Sequence, residues 1–254
     1  MTESARFVSR IHQSSGNQMT VKCNICDSAE FIDSVTRSGT IQVKCATCKS
    51  LPRHRLLYAT LDKYDLLKQS SENTRVLQIS ADPGITEKLR LVFKSGFYIS
   101  NFKSDYYGPD GSEGNWLSEF LKLQLPDDFR IFSDNYFDLI VHCAVLEHIP
   151  GKYVDHLAEF SRILKPGGRM IFHMPFTKNK SLLTKTIEGG ELLNTDEERL
   201  ALHGEVDHYK TFGYDFYATM KNLKGSYCIE KFDEEYKKSI NSDIKIDVFT
   251  YHKI

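Results

Sequence analysis

Short apolar runs alternate with amphipathic helical patterns from residue 75 to the end of the sequence. The runs typical of buried strands are RVLQIS (75–80), GFYISN (96–101), YFDLIVHCA (136–144) and GRMIFHMP (168–175). Helical patterns lie between them at 85–94 and 151–165, and KPGG (165–168) predicts a turn. Two final runs, at 226–232 and 244–253, predict an antiparallel hairpin that closes the sheet. The alternation indicates an α/β fold, with a mostly parallel sheet covered by helices on both faces.

The N-terminal quarter has a different pattern. We divide the chain into a polar tail (1–18), a cysteine-rich module (19–50), a connecting helix with a polar linker (51–74) and the large α/β domain (75–254). The tail lacks the apolar segment of a secretory signal, and no run of about 18 apolar residues predicts a membrane span. We therefore expect a cytoplasmic protein whose six cysteines are reduced. A net charge of −1 excludes an overall basic field that would draw the protein onto nucleic acid.

Four of the cysteines form two close pairs, C-x2-C, with eighteen residues between the pairs. They are Cys23, Cys26, Cys45 and Cys48. Two tight turns that each supply two thiolates give the tetrahedral sulfur shell that zinc prefers, so we predict a zinc ribbon. The alternative is a pair of redox dithiols. Because all four coordination positions would be filled, the zinc is expected to be structural.

A short basic stretch, Arg53–His54–Arg55, follows the cysteine module. It allows two interpretations: a grip on a phosphate group, or the polar first turn of a helix that begins at Pro52. We favour the second, because Leu56, Leu57 and Leu61 continue the segment as an amphipathic helical stripe.

The stretch VLQISADPGITEKL (76–89) reads as a strand, a sharp turn and the start of a helix. In an open α/β sheet a ligand lies beyond the carboxyl ends of the strands, where the strand order reverses. Here that crevice is expected to be lined by 80–84, 100–103 and 142–146. The turn has no G-x-G-x-x-G pattern, so the sequence does not predict a nicotinamide dinucleotide site.

Three motifs in the large domain resemble class I S-adenosylmethionine-dependent methyltransferases. YFDLIVHCAVLEHIP (136–150) and ILKPGGRMIF (163–172) are similar to the family's "FD-L-I", "LEH" and "L-K-P-G-G" segments, in the same order. The resemblance covers about residues 75–251 and implies a doubly wound, mostly parallel seven-stranded sheet with a C-terminal antiparallel hairpin. CATCKSLPRHR (45–55) and HGEVDHYKTFG (203–213) are also similar to a poorly characterised subgroup of zinc-ribbon methyltransferases, often associated with polysaccharide or glycolipid biosynthesis.

The resemblance implies S-adenosylmethionine as cofactor, although two features depart from the family pattern. The cofactor loop of the family reads roughly acidic-x-G-x-G-x-G, but here only Gly84 matches a glycine position. Asp82 is expected to pair with the cofactor's ammonium group, to cap the following helix, or both. The second strand of the family usually ends in an acid that binds the ribose hydroxyls, and this chain has Asn101–Phe102 there. The cofactor-binding positions implied are Gln78, Ser80, Ala81, Asp82, Gly84, Asn101, Phe102, Cys143 and Ala144.

Methyl transfer to a hydroxyl or amine needs a group that removes a proton. His148, directly after the strand at 136–144, is one candidate base, and His203, Asp207 and His208 form a second polar cluster. The alternatives are a packed helix residue for His148 and a solvated connection for the cluster. We interpret Glu147 as the start of a helix, and we expect structural roles for the remaining candidates: His54, His142, His173 and Cys143.

The sequence therefore predicts an S-adenosylmethionine-dependent methyltransferase acting on a small molecule or glycan precursor, with a structural zinc ribbon that shapes or covers the acceptor site. Lysines in 177–204 suit an anionic acceptor. Two rivals remain open at this point: an RNA methyltransferase that holds its substrate with the ribbon, and a non-catalytic binding module with the same sheet.

Overall fold

The structure is a computed structural model that describes residues 20–35, 41–68, 71, 73–101, 120–176, 184–242 and 247–254. Within these ranges the strands are β1 Phe31–Val35, β2 Ile41–Cys45, β3 Val76–Ile79, β4 Phe97–Asn101, β5 Phe120–Lys122, β6 Phe137–Cys143, β7 Leu164–His173, β8 Gly225–Glu230 and β9 Val248–Lys253. The helices are α1 Pro52–Lys63, α2 Pro83–Phe93, α3 Tyr153–Ile163, α4 Asp196–His203, α5 Asp215–Asn222 and α6 Glu234–Ser239. The predicted tail, Phe102 and residues 177–183 lie outside the described ranges.

The large sheet has the strand order β5-β4-β3-β6-β7-β9-β8. Strands β5, β4, β3, β6 and β7 are parallel, and β9 is antiparallel to both β7 and β8. This arrangement confirms the expected mixed α/β class with an antiparallel hairpin. The order reverses between β3 and β6, so the edge at their carboxyl ends is the place where such a sheet binds a ligand.

Side chains alternate between the two faces of the sheet, as the period of a strand requires. In β6, Leu139 and Val141 pack with α1 and α2, whereas Ile140 packs with α3 and α5. Helix α1 contributes Leu56, Leu57 and Leu61 to the first of these cores. Helix α1, which the sequence predicts as a connecting helix, is therefore part of the layer that covers one face of the sheet.

The KPGG segment lies inside β7 rather than before it. Leu164 already pairs with Phe137, and Arg169 pairs with Leu139, so one residue of β6 lies opposite four residues of β7. The four residues between the two pairs form an irregular bulge, in which Gly167 has a φ of +80°. The predicted turn is present as this bulge, because a glycine accepts the left-handed backbone without a Cβ clash.

Candidate functional site

The two central strands end in sharp turns at the same edge of the sheet. Ser80 follows β3 with a φ of 65°, and Ala144 follows β6 with a φ of 53°. The amide of Ser80 donates to the carbonyl of Ser100 (2.9 Å), and the amide of Ala144 donates to the carbonyl of His173 (2.9 Å). A left-handed conformation costs a non-glycine residue about 1 kcal/mol, and such positions concentrate at functional sites. Both strands thus remain in the sheet up to the residue at which they turn away.

The loop between β3 and α2 is held by its own polar side chains. Asp82 is the N-cap of α2, and its Oδ1 accepts from the amide of Gly84 (3.3 Å). The hydroxyl of Thr86 donates to Oε1 of Gln78 (3.0 Å) and accepts from the amide of Asp82 (3.1 Å). Gln78 and Asp82 are almost fully buried. Side chains here perform the shaping that glycines perform in the more usual loop.

The loop between β3 and α2 also contacts helix α1 and the cysteine-rich module. Oδ2 of Asp82 lies 2.5 Å from Nδ1 of His54. A Cβ added at Gly84 would lie 3.2 Å from Cγ2 of Ile25 and 3.3 Å from Sγ of Cys48. A side chain at this position would require Ile25 or Cys48 to shift by a few tenths of an ångström, so the start of α2 packs directly against the cysteine cluster.

The four cysteine sulfur atoms converge at one point. All four lie within 4.8 Å of one another, with 3.5 Å between Cys23 and Cys48 and 3.6 Å between Cys26 and Cys45. A tetrahedral zinc site with bonds of about 2.3 Å has sulfur–sulfur edges of about 3.8 Å, so the donor set fits that ion. The hydroxyl of Ser50 lies 3.1 Å from Sγ of Cys48. The cluster is compatible with a zinc ribbon.

The two cysteine turns have the same backbone design. The amide of Asp27 donates to the carbonyl of Cys23, and the amide of Lys49 donates to the carbonyl of Cys45. Asp27 and Lys49 each follow the first cysteine of their pair by four residues, and both have left-handed φ values, 62° and 61°. The repeated turn aims both cysteines of each pair at the same point.

The basic stretch forms the first turn of α1, which begins at Pro52 as the favoured interpretation expects, but its arginine side chains are turned inward. Arg55 is fully buried and donates to the carbonyls of Ser50 (2.7 Å), Val43 (3.2 Å) and Asn241 (2.5 Å). It ties the ribbon to the segment that precedes β9. Burial lowers the pKa of the guanidinium, and the nearby cysteines oppose this effect. The RNA-binding interpretation loses its main basic contact, because Arg55 does not reach solvent.

Arg53 points toward the carboxyl edge of the sheet. Its Nη1 donates to Oε1 of Gln42 (3.1 Å), and its Nε is buried without a hydrogen-bond partner in the described part of the chain. Its charge acts on Cys143, Glu147 and His173, which lie at the ends of β6 and β7. Burial raises the pKa of Cys143 to about 12, so this thiol is uncharged and unsuited to nucleophilic attack at neutral pH.

The turn after β6 and the loop after α4 bring together three of the four predicted catalytic residues. Nδ1 of His148 lies 2.9 Å from the carbonyl oxygen of Asp207 and 3.8 Å from its Oδ2. The rings of His148 and His208 are 4.8 Å apart in an edge-on arrangement. Burial lowers the pKa of His208, which favours the neutral imidazole that a proton acceptor needs.

His203 has different partners from the rest of its predicted cluster. It is the last residue of α4, it is buried, and its Nδ1 lies 3.0 Å from the hydroxyl of Thr211. A Cβ on Gly190 would lie 2.8 Å from its Nε2, so the ring is packed closely against that turn. The structure therefore gives His203 contacts that organise the loop beneath His208.

Asn101, one of the predicted cofactor-binding positions, ends β4 at the same edge of the sheet as Ser80.

Two further titratable groups in this cluster were not predicted to act there. Glu147 lies in a short 3-10 turn, Leu146–His148, well before α3 begins at Tyr153. Its side chain is 1% exposed, and burial raises its pKa to about 8. Lys210 is equally buried, and burial lowers its pKa to about 8. In the sequence, Glu147–His148 and Asp207–Lys210 are two short segments rich in titratable residues. The two segments meet through tertiary contacts between residues 59 positions apart, which the sequence does not reveal.

Comparisons with known proteins agree with this architecture. Residues 107–172 match a family model described as a methyltransferase domain. A sequence search of curated proteins gives no match. A DszA carbon methyltransferase is 13% identical, with a TM-score of 0.50 over 79% of this chain and 53% of that chain. A SAM dependent methyltransferase from Archaeoglobus fulgidus is 14% identical, with a TM-score of 0.48 over 77% of this chain and 91% of that chain.

The match over residues 107–172 includes β6, the turn with Glu147 and His148, α3 and most of β7. These elements lie on one side of the position where the strand order reverses, and β5, which the match also includes, lies on the other side. The likeness to solved structures concerns the fold. The chain therefore has the Rossmann-like α/β fold that these methyltransferase structures share, and residues 107–172 of it match the methyltransferase-domain model.

Proposed function

We propose that this protein transfers a methyl group from S-adenosylmethionine to a small-molecule or glycan-precursor acceptor. The observation that carries the proposal is the coincidence of the methyltransferase-domain match with the carboxyl end of β6, where Glu147, His148 and His208 meet. A sulfonium cofactor has no phosphate, so a loop shaped by side chains instead of glycines is adequate for it.

In this proposal the cofactor lies across the carboxyl ends of β4, β3 and β6. Ser80, Ala81 and Ala144 offer small side chains beside the reversal, Cys143 is the buried end of β6, and Asn101 lies where the ribose would be held. Gln78, Asp82 and Gly84 act by fixing the loop, as their hydrogen bonds and close packing indicate.

Arg53 is a residue that the motif comparison did not single out for the cofactor. Its guanidinium is at the carboxyl edge, and its buried Nε has no hydrogen-bond partner among the described residues. A carboxylate satisfies such a group through a charge-assisted hydrogen bond. We assign to it the carboxylate of the cofactor's methionine portion.

The chemistry required of the protein is alignment and proton removal. The acceptor oxygen or nitrogen forms a bond to the methyl carbon while the carbon–sulfur bond breaks, which leaves neutral S-adenosylhomocysteine. The proton of the acceptor passes to a nearby base or to water. His148 and His208, with Asp207 beside them, are the groups we place next to the acceptor, because His208 is held in its neutral form by burial.

We assign a structural zinc ion to the cysteine cluster. The sulfur spacing and the two matched turns support this assignment, and four thiolates leave no open position for a substrate. Through Gly84 and His54 the ribbon contacts the cofactor loop, so the ion would support the shape of that loop.

Calorimetry on the full chain tests the cofactor assignment. We expect one molecule of S-adenosylmethionine or S-adenosylhomocysteine per chain. Asn101→Asp should tighten binding, because a carboxylate accepts from both ribose hydroxyls. Ala144→Val should weaken it at least tenfold, about 1.4 kcal/mol, because a branched side chain narrows the crevice.

The matched control for Ala144→Val is Asn135→Val. Asn135 has a comparable left-handed φ of 57° but precedes β6, at the opposite edge of the sheet. It should lower stability to a similar extent without changing cofactor affinity. An absence of heat at millimolar cofactor, in a protein that unfolds cooperatively, would favour the non-catalytic alternative.

A further inference from the structure

Glu147, His148 and His208 form a second potential ligand set, apart from the cysteine cluster. One carboxylate oxygen and one nitrogen from each ring all lie within 4.8 Å of one another. Nε2 of His148 is 3.9 Å from Oε1 of Glu147. Two imidazoles and one carboxylate are a common donor set for divalent first-row metal ions with open coordination positions.

The carboxylate of Glu147 is the independent sign that a ligand belongs here. It is 1% exposed, and neither oxygen accepts a hydrogen bond from another residue in the described part of the chain. A buried carboxyl group without a partner is strongly disfavoured, and a proton on one oxygen would still leave the other without a donor. A bound cation satisfies the group directly.

The neighbouring cations do not take that place. Arg53 and Lys210 are close enough to lower the pKa of Glu147. However, Arg53 Nη1 donates to Gln42, and Nζ of Lys210 donates to the carbonyl of Ile149. Neither forms a hydrogen bond with the carboxylate, which leaves both oxygens available to an ion.

The tautomer of His148 suits a metal ligand. Its Nδ1 lies 2.9 Å from the carbonyl oxygen of Asp207, and a carbonyl only accepts, so Nδ1 bears the proton. The lone pair is then on Nε2, the nitrogen measured toward Glu147. A histidine whose other nitrogen donates to a carbonyl is the usual arrangement behind a metal ligand.

The backbone holds His208 opposite this pair. On one side of it the carbonyl of Asp207 accepts from His148, and on the other side the amide of Tyr209 donates to the carbonyl of Glu147 (2.7 Å). The strap 207–210 therefore runs alongside the turn 147–149 and fixes which residues face each other. Such pre-organisation is what a metal site requires of its supporting contacts.

We propose that Glu147, His148 and His208 bind a divalent first-row transition metal ion with open coordination positions. An oxygen of the methyl acceptor occupies an open position, where the positive charge of the ion favours loss of its proton to water, because the two histidines then act as ligands and not as bases. This second step rests on the proposed function. The site differs in kind from the cysteine cluster, because its nitrogen and oxygen donors suit ions such as cobalt, iron or manganese, whereas four thiolates form a closed shell.

The experiment is dialysis of the full chain, as purified, against cobalt chloride, followed by counting of zinc and cobalt per chain by mass spectrometry. We expect about one cobalt to bind while the zinc content stays constant and no cobalt–thiolate charge-transfer band appears. Glu147→Gln and His208→Gln should each weaken cobalt binding at least tenfold.

Glu235→Gln and His252→Gln are matched controls, because they remove the same groups in α6 and β9, outside the ligand set. Both should bind cobalt within about twofold of the unmodified protein. Equal binding by all four variants, or no cobalt beyond any that replaces zinc, overturns the proposal. Glu147→Gln keeps the size of the side chain. If either Glu147→Gln or His208→Gln fails to fold, cobalt binding by the other variant still tests the proposal. Cofactor calorimetry on the same samples reads the proposed methyltransferase function separately, since it needs no added metal.

Discussion

His142 lies in the core between two phenyl rings, 5.1 Å from Phe160 and 4.9 Å from Phe172. Both of its nitrogens are buried without a hydrogen-bond partner among the described residues. Burial lowers its pKa to about 3, and the pKa of His173 to about 3 as well. These residues are neutral core groups, consistent with the structural role expected from the sequence.

Acid should destabilise the protein through these histidines. A histidine whose pKa is lower in the folded state does not reduce the free energy of unfolding at a pH above its unfolded-state pKa, near 6.5. The free energy of unfolding falls as the pH drops from that value toward the folded-state pKa. From pH 7 to pH 5 each such histidine should remove about 2 kcal/mol from the free energy of unfolding.

His142→Phe should reduce that fall by about one histidine's share, roughly 2 kcal/mol, in urea unfolding at pH 7, 6 and 5. The reason is that phenylalanine keeps the ring contacts and cannot bind a proton. His252→Gln, in the partly exposed end of β9, should leave the fall unchanged. A pH dependence that is the same in His142→Phe and the unmodified protein would contradict the burial of a neutral ring.

Arg53 supplies a second prediction at the level of a residue. Arg53→Gln should weaken S-adenosylmethionine binding by roughly 1.5–3 kcal/mol, the range for a hydrogen bond to a charged group. Arg53→Lys should keep part of the affinity, because the charge remains but the planar fork is lost. The measurement is the calorimetric dissociation constant. An unchanged constant in both variants would remove Arg53 from the cofactor site.

At the scale of elements, the contact between the ribbon and α2 is the most demanding one. Gly84→Val would place a branched side chain where only 3.2–3.3 Å separates a Cβ from Ile25 and Cys48. We expect a loss of about 1–3 kcal/mol in stability, as for overpacking of a core. Cofactor affinity should fall as well, because the loop and the ribbon must move apart.

Glu87→Val controls for the branched residue in the same helix, at an exposed position. It should cost the lower helix propensity of valine and the exposed ion pair with Arg90, together about 1 kcal/mol or less, and should leave cofactor affinity unchanged. Chemical denaturation and calorimetry on both variants give the comparison. If Gly84→Val matched Glu87→Val in both measurements, the ribbon would not support the loop.

Helices and strands with a strong hydrophobic period are predictable from the sequence, whereas very short strands and strands interrupted by a bulge are not. The strongly apolar strand at β6 and the amphipathic α3 follow from their patterns alone. Strand β5 has three residues, too few to show a period. KPGG has the composition of a turn, so the sequence predicts one there, whereas pairing with β6 keeps the segment in the sheet as a bulge of β7. Tertiary contacts decided both cases.

At the scale of the molecule, sequence spacing predicted the cysteine cluster but not its place. Spacing fixes which thiolates meet, since each pair is local. It contains no information that Cys48 and Ile25 cover the start of α2, or that Arg55 reaches Asn241 across the chain. The meeting of Glu147 with His208 is of the same kind, because the hydrogen bonds that align the two segments form only in the folded protein.

The central claim is that S-adenosylmethionine binds at the carboxyl ends of β3 and β6, beside the polar cluster. The most direct measurement is a crystal structure of the full chain grown with S-adenosylhomocysteine. The account predicts the nucleoside between Ser80 and Ala144, its carboxylate on Arg53 and its sulfur facing Glu147, His148 and His208. A nucleoside bound elsewhere, or the same crevice filled by this chain's own side chains at saturating ligand, would contradict it.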